Sequence, residues 1–365
     1  MALRGKAAAV VAVSGLLAVT AACGGGGGGD SEAKGQASPD ATASTARQEA
    51  PPAADKRPAL IAFAGDTHFE GPLRARLASP KTALGPIAGT LRSADLTMLN
   101  LETAITTGGT PAPAKQFTFR APPSAFTALK AAGVDVVSMA NNHGMDYMEG
   151  GLRDSLKAIE KSGFPVVGIG ANADEAYKAR RFTVKGNRIA IVGATQVLDD
   201  HLIEAWTATD SKGGLASAKD EARMVRAVKD AGEGSDVVIV HLHWGQELKS
   251  CPLPRQQALA RKLIEAGADA VIGGHAHIPL GGGYLDGAYV DYGMGNFVFS
   301  SASGQTANSG VLLLRVQDGK VTAGKWKPAR ISGGLPRLMT GAAASAELKR
   351  WNGLRSCTGL AARPE

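Results

Sequence analysis

The chain has 365 residues, 44% of them hydrophobic and 20% charged, a balance that fits a folded globular protein and excludes a fibrous or wholly disordered one. Its formal net charge is +7, yet there is no Lys/Arg block and no basic stripe with interleaved aromatics. That argues against a nucleic-acid partner and for a mildly basic surface that tolerates anionic neighbours such as phosphate esters or wall polymers.

The N-terminus reads as an export signal. Arg4 and Lys6 precede an apolar run, Ala7 to Val19, that is too short to span a membrane. Thr20-Ala21-Ala22-Cys23 follows, and small residues directly before a cysteine resemble the bacterial lipobox, whose cysteine is lipidated and becomes the mature N-terminus. Thr20 departs from the leucine usual at that position, and cleavage after Ala22 with Cys23 incidental is the alternative. The expectation is an extracytoplasmic protein with signal 1–23, tied to the bacterial cell membrane through Cys23, or secreted if the lipobox is unused. Residues 24–58 are rich in Gly, Ala, Ser and Pro and cannot bury enough apolar area to offset the entropy of ordering, so they are expected to form a flexible tether.

From residue 59 short β-rich runs alternate with amphipathic stretches. Ala59 to Ala64 is a continuous apolar run ending at Gly65-Asp66, as a buried strand would. Asp95 to Leu99 ends at Asn100-Leu101-Glu102, and Asp135 to Met139 ends at Asn141-Asn142-His143. A helix over 150–161 leads to a short strand at 165–167. The runs 182–184 and 188–192 flank a Gly-Asn turn and read as a hairpin. A helix near 216–231 precedes the strand 236–240, which ends at His241-Leu242-His243. A helix over 255–266 precedes the strand 269–272, which ends at Gly273-Gly274-His275-Ala276-His277. Strands at 288–290 and 297–299 and a hairpin of 311–316 with 320–323 complete the pattern. Alternation early and hairpins late imply an α/β fold with mixed sheets. The domain is expected over 59–335 with a C-terminal tail over 336–365.

The chain has 7 histidines, and all but His201 fall in clusters just after strands. In open α/β sheets, ligands sit outside the carboxyl ends of the strands. His68, His143, His241, His243, His275 and His277, with Asp66, Glu102 and Asn142, would therefore meet at one edge. Imidazole and carboxylate with an amide oxygen suit Mn²⁺, Fe or Zn²⁺, and the lack of thiolate in these clusters disfavours a structural zinc site. A pair of divalent cations needs a bridging carboxylate, for which Asp66 and Glu102 are the candidates. Such a pair clamps a phosphoryl oxygen and activates water, and a histidine beside it can protonate the leaving oxygen. Cys251 and Cys357 are an even pair outside the cytoplasm, which favours a disulfide docking the tail over two buried thiols.

Asp66-Thr67-His68, Asn142-His143, His241 and Gly274-His275-Ala276-His277 resemble, in order, the motifs of calcineurin-like metallophosphoesterases. With Asn100-Leu101-Glu102, Asp146, His243-Trp244-Gly245 and Gly295-Asn296-Phe297, they resemble more closely the CapA family of poly-γ-glutamate capsule synthesis proteins. The resemblance runs from about residue 60 to 300 and implies a four-layer α/β/β/α sandwich with two mixed sheets. It implies that Asp66, His68 and His277 hold one metal, and Asn142, His241 and His275 the other. Glu102 stands where the wider superfamily has a bridging Asp, so it either bridges or binds one ion, with Asn100 a possible helper. His143 matches the proton donor, the alternative being a turn histidine bonded to Asp146. His243 either supports the site or touches substrate. Lys115 and Arg120, in a segment that also resembles the family, are candidates to meet an anionic group, and Asn296 to shape the site through hydrogen bonds. The resemblance implies work on a phosphate ester or on poly-γ-glutamate, beside membrane synthase or exporter subunits. The alternative is a non-catalytic accessory protein that binds the polymer. The sequence shows no P-loop, so ATP-driven ligation is not its chemistry.

Overall fold

The computed structural model describes residues 56–364. The signal, Cys23 and the tether up to residue 55 lie outside the described residues. The last tether residues already touch the domain: Lys56 Nζ is 3.0 Å from Asp236 Oδ1, and the Arg57 amide donates to the Lys185 carbonyl at 3.0 Å.

Two sheets form the centre. The eight-stranded sheet begins with β1 (Ala59–Thr67), β2 (Leu96–Leu101), β3 (Val136–Ser138) and β4 (Val166–Val167). The six-stranded sheet holds β5 (Arg180–Val184), β6 (Asn187–Thr195), β7 (Val237–His243), β8 (Ala270–Gly274), β9 (Gly282–Leu285) and β10 (Ala288–Asp291). The chain then returns to the first sheet with β11 (Asn296–Val298), β12 (Asn308–Gln317), β13 (Lys320–Ser332) and β14 (Leu335–Leu338). The spatial orders are β14-β13-β12-β1-β2-β3-β4, with β11 against the end of β1, and β9-β10-β8-β7-β6-β5.

Three apolar clusters separate four layers. Ile61, Phe63 and Met98 of the first sheet meet Ile191, Ile239 and Ile272 of the second. On the outer face of the first sheet, Ala62, Leu99 and Val137 pack under α1 (Ser124–Ala132) and α2 (Met148–Ser162) through Phe126, Leu129 and Leu152. On the outer face of the second, Val192, Val240 and Val271 pack under α3 (Glu221–Gly232) and α4 (Pro254–Glu265) through Val228, Leu259 and Leu263. Alternate residues of β1 thus enter different clusters, which is why that strand reads as an unbroken apolar run. Each buried Leu, Ile or Phe contributes about 1.5–3 kcal/mol. The arrangement is the expected α/β/β/α sandwich.

The strands are pinned at their starts by one repeated device. Asp95, Asp135, Asp236 and Asp269 each precede a strand and bracket the strand beside it, donating the backbone N–H to a carbonyl while the carboxylate accepts an N–H. The carboxylates accept from Leu60, Thr97, Arg188 and Val238 at 2.8, 2.8, 2.9 and 2.8 Å, and the four aspartate amides donate to those residues' carbonyls.

Some boundaries differ from the sequence expectation. The helix expected from 216 starts at Glu221, where the Asp220 side chain accepts from the Arg223 amide at 3.0 Å and caps it. The late hairpin is longer, running over 308–317 and 320–332. The boundary expected at 335 falls inside β14, and the tail is more than docked. Cys251 and Cys357 do form a disulfide, but α5 (Gly341–Gly353) also places Trp351 in the inter-sheet cluster, stacked on Trp326 with centroids 5.4 Å apart.

Candidate metal centre

The register of the parallel strands brings the polar strand ends together. Pairing of β1 with β2 shifts between Ala64 and Asp66 and sets Asp66 beside Asn100. Gly65 lets the turn before β11 close on the same strand end, since a Cβ there would lie 1.8 Å from the Gly295 carbonyl oxygen. In the second sheet, His241 pairs with Ile272 and His243 with Gly274. Asp66 joins the two sheets: its Oδ2 accepts from the His275 amide at 3.1 Å. That approach needs Gly274, whose Cβ would be 2.7 Å from Asp66 Oδ1.

A chain of hydrogen bonds fixes the orientation of most of the site. Asn141 accepts from the His143 amide at 3.0 Å, so its Nδ2 is the end that donates to Asn100 Oδ1, also at 3.0 Å. Asn100 Nδ2 therefore faces Asp66 Oδ1 at 2.9 Å and His243 Nδ1 at 3.2 Å. His243 must then carry its proton on Nε2, which donates to Asn142 Oδ1 at 2.7 Å. Both His243 nitrogens are occupied, so this residue holds Asn100 and Asn142 rather than a cation. Similarly, Asn296 donates Nδ2 to the Thr306 carbonyl at 3.3 Å and accepts from His277 Nδ1 at 2.8 Å. His277 keeps Nε2 as its free lone pair.

The His143 ring is held by Asp146, with Nδ1 and Oδ2 2.5 Å apart, and its Nε2 points inward, 3.9 Å from Glu102 Oε1. Asp146 is in turn held by the Phe119 amide at 2.6 Å and by Lys115 Nζ at 2.7 Å. Lys115 is buried, also bonds the Asn142 carbonyl and faces the Trp206 ring, so it is committed to internal partners and is not a free anion contact. Arg120 lies over the Tyr147 ring at 4.8 Å and donates to the Gly108 carbonyl at 3.3 Å, away from the cluster.

The remaining donors test whether a cation fits. Both Glu102 oxygens, both His241 nitrogens and His275 Nδ1 are buried without hydrogen-bond partners among the described residues. An unpaired buried polar group costs about 1–3 kcal/mol. Burial pushes His241 down to about 4, and burial with the neighbouring His277 and His143 pushes His275 down to about 3, so both are neutral rings with a lone pair to offer. Burial, reinforced by Asp66 and Asp146, holds the Glu102 carboxyl well above the usual carboxylate range. Lone-pair donors crowded together, with carboxylates that resist ionising, lack a positive partner. Asp66, Glu102 and His277 offer ligand atoms within 4.8 Å of one another, and so do Glu247, His275 and His277. The residues present fit divalent cations, and the donor set is the imidazole, carboxylate and amide oxygen mixture expected.

Two placements differ from the ligand sets the motifs implied. His68, like His241, belongs to neither close group, but unlike His241 its nitrogens face amides: its Nδ1 accepts from the Glu70 amide at 3.0 Å and its Nε2 lies 3.4 Å from the Ser300 amide. Its ring stacks on Phe119, centroids 4.5 Å apart, and Phe119 stacks on His143 at 4.1 Å, an aromatic plate between two histidines. Glu247 was not among the sequence candidates. It lies on a loop two residues beyond Gly245, and only its position after the His241-Leu242-His243 strand end could have drawn attention to it.

The family described as bacterial capsule synthesis protein PGA_cap matches residues 60–301. The capsule biosynthesis protein CapA of Bacillus anthracis is 32% identical over 218 residues, 59% of this chain and 52% of that protein. The PGA biosynthesis protein CapA of Bacillus subtilis is 33% identical over 185 residues, 50% of this chain and 47% of that one. A probable polyglutamine synthesis accessory protein of Mycobacterium tuberculosis is 32% identical over 211 residues, 56% and 55% of the two chains. The chain spans about half the length of these curated relatives. Among solved structures, a phosphatase from Mycoplasma pneumoniae is 13% identical, covering 80% of this chain and 97% of that one with a TM-score of 0.47, a likeness too distant to bear on chemistry.

Proposed function

The chain belongs to the bacterial capsule synthesis protein PGA_cap family, and we propose that it is an exported, membrane-tethered, metal-dependent hydrolase of capsule polymer production. Its substrate would be a phosphate ester or a related anionic linkage. The observation that carries this reading is the Glu102 carboxylate, fully buried, with no hydrogen-bond partner among the described residues, and facing His143 and His243 at 3.9 and 3.5 Å. A structural glutamate would be paired.

Asp66, Glu102, His241, His275 and His277 are the residues that would hold the cations, with Asn142 Oδ1 keeping one lone pair beside its bond to His243. Two divalent cations, when bound, supply an activated water and neutralise charge on a phosphoryl oxygen. The protein's own part begins with His143. Asp146 accepts a hydrogen bond from Nδ1–H, fixes the ring plane and partly offsets the burial that pulls His143 below its ordinary value, so Nε2 can carry a proton toward a leaving oxygen. Lys115 keeps Asp146 from turning away, and Phe119 closes the ring's outer face against water. Export would place this chemistry outside the cytoplasmic membrane, on the reach of a tether from Cys23. Synthase or exporter subunits there could share the polymer.

Purified chain with Mn²⁺ against a panel of aryl phosphates and phosphodiesters tests the reading. Turnover that EDTA abolishes supports it, and no turnover with any divalent metal refutes it. The rival is a non-catalytic accessory protein binding an anionic polymer. The name of the Mycobacterium tuberculosis relative, an accessory protein, and the amides that face both His68 nitrogens favour looking for it. It predicts measurable polymer binding with no hydrolysis.

A further inference from the structure

We propose that Glu247 is a metal ligand, joining His275 and the Nε2 of His277 in a three-donor site on the solvent side of the cluster. The inference rests on the metal-dependent reading above and extends its ligand set to a residue outside the motifs. Glu247, His275 and His277 each place a ligand atom within 4.8 Å of the others. Glu247 Oε1 is 4.0 Å from His277 Nε2, the nitrogen that the bond to Asn296 leaves with its lone pair. His275 Nδ1 is buried and has no partner among the described residues.

The backbone supports the same grouping. His275 and His277 have φ of 89° and 57°, and Leu248 has φ of 58°. This left-handed region costs a side-chain-bearing residue on the order of 1–3 kcal/mol and is held only where the surroundings impose it. Here it turns both rings out of the strand path toward one point. The Leu248 amide donates to the Ala276 carbonyl at 2.9 Å, tying the Glu247 loop to the turn between the two histidines. The two ends of the loop are held, at Gly245 by Arg255, which donates to its carbonyl at 3.2 Å, and at Cys251 by the disulfide. The side chain itself is 59% exposed, so a fixed backbone presents a carboxylate free to swing onto a cation. Asp66 and Glu102 would then serve the inner cation, and the Glu247 site would lie on the exposed side of the cluster.

The test uses the whole chain stripped with EDTA and titrated with Mn²⁺, read by calorimetry and by the electron paramagnetic resonance of free Mn²⁺. Wild type is expected to bind two ions. Glu247→Gln is expected to keep one at wild-type affinity and bind the other about 10–100-fold more weakly, with Glu247→Asp between the two. The metal-free melting temperature of Glu247→Gln should equal that of wild type, because the side chain is exposed and supports no buried partner. Two ions bound by Glu247→Gln at wild-type affinity would overturn the assignment and leave the hydrolase reading intact. A wild-type chain that takes up no Mn²⁺ would overturn both.

Discussion

Replacing Glu102 by Gln should change stability in opposite directions with and without metal. In the EDTA-treated chain the carboxyl is buried with both oxygens unpaired and held well above its ordinary value of 4.5 by burial and by Asp66 and Asp146. A raised folded value means that the stability present below about pH 4.5 is lost as pH rises. The neutral amide escapes that loss. The penalty the amide escapes is that of ionising in the buried site, about 1.4 kcal/mol for each pH unit by which the folded value exceeds the ordinary one, and each kcal/mol corresponds to a rise in Tm of roughly 2–4 °C. With Mn²⁺ at about 100 times its Kd, wild type gains about 2.7 kcal/mol per ion, worth roughly 5–10 °C. The variant forfeits about 1.4 kcal/mol of that for each tenfold weakening. Scanning calorimetry at pH 8, with EDTA and with Mn²⁺, should show the variant melting above wild type in the first buffer and below it in the second. If Glu102→Gln lowers Tm equally in both, the carboxylate has a structural partner and the metal argument fails.

His143→Ala should retain Mn²⁺ in a metal analysis while lowering turnover by about 10²–10⁴; loss of metal would contradict its role as proton donor. Asp269→Asn keeps an oxygen for the Val238 amide but removes a carboxyl that burial pushes up to about 6. Since wild type loses stability as pH rises through that value, urea melts at pH 4.5 and 7.5 should favour the variant only at the higher pH. Asp236→Asn should behave oppositely, because Arg188 and Lys56 hold that carboxyl below its usual range. Its wild-type advantage is full above about pH 4 and fades as pH falls. Cys357→Ser should cost about 2–4 kcal/mol, measured by denaturant melts, and match wild type once dithiothreitol is present.

The fold was legible where both faces of a strand are buried, because β1, β2, β7 and β8 then read as apolar runs stopped by polar residues. Helix α1 was not, since Pro122-Pro123 precede it and read as a break, although their carbonyls accept the Ala125 and Phe126 amides at its start. Helix α5 hid in an Ala-rich stretch with little amphipathic contrast. Strand β13 runs through Gly324 and Pro328, residues that normally end a strand, because it lies at the side of the sheet where only the short β14 adds to it. In the site, the strand-end donors were legible as types and positions. The split between ligands and their supports was not. His68 and His243 look like ligands in a motif, and only the amides around them show how their nitrogens are occupied. Glu247 carries no motif, and its partners lie about thirty residues downstream.

Aspartates mark the starts of β2, β3, β7 and β8, carboxylates also mark the ends of β1 and β2, and the contrast between the two edges separates stability from function. At the strand starts, Asp95, Asp135, Asp236 and Asp269 each accept a backbone N–H, so their carboxyl oxygens serve register and substitutions there should be felt in stability alone. At the strand ends, Asp66 is shared between Asn100 and the His275 amide, and Glu102 has no partner among the described residues. If fold stability governed both ends, the second would be paired like the first, or would be apolar, since a buried carboxylate that loses its partner is worse than none. A protein that keeps unpaired donors at one edge while satisfying the same residue type at the other does so because something outside the chain completes the pairing. Where imidazole lone pairs and carboxylates converge, the partner that satisfies both is a divalent cation.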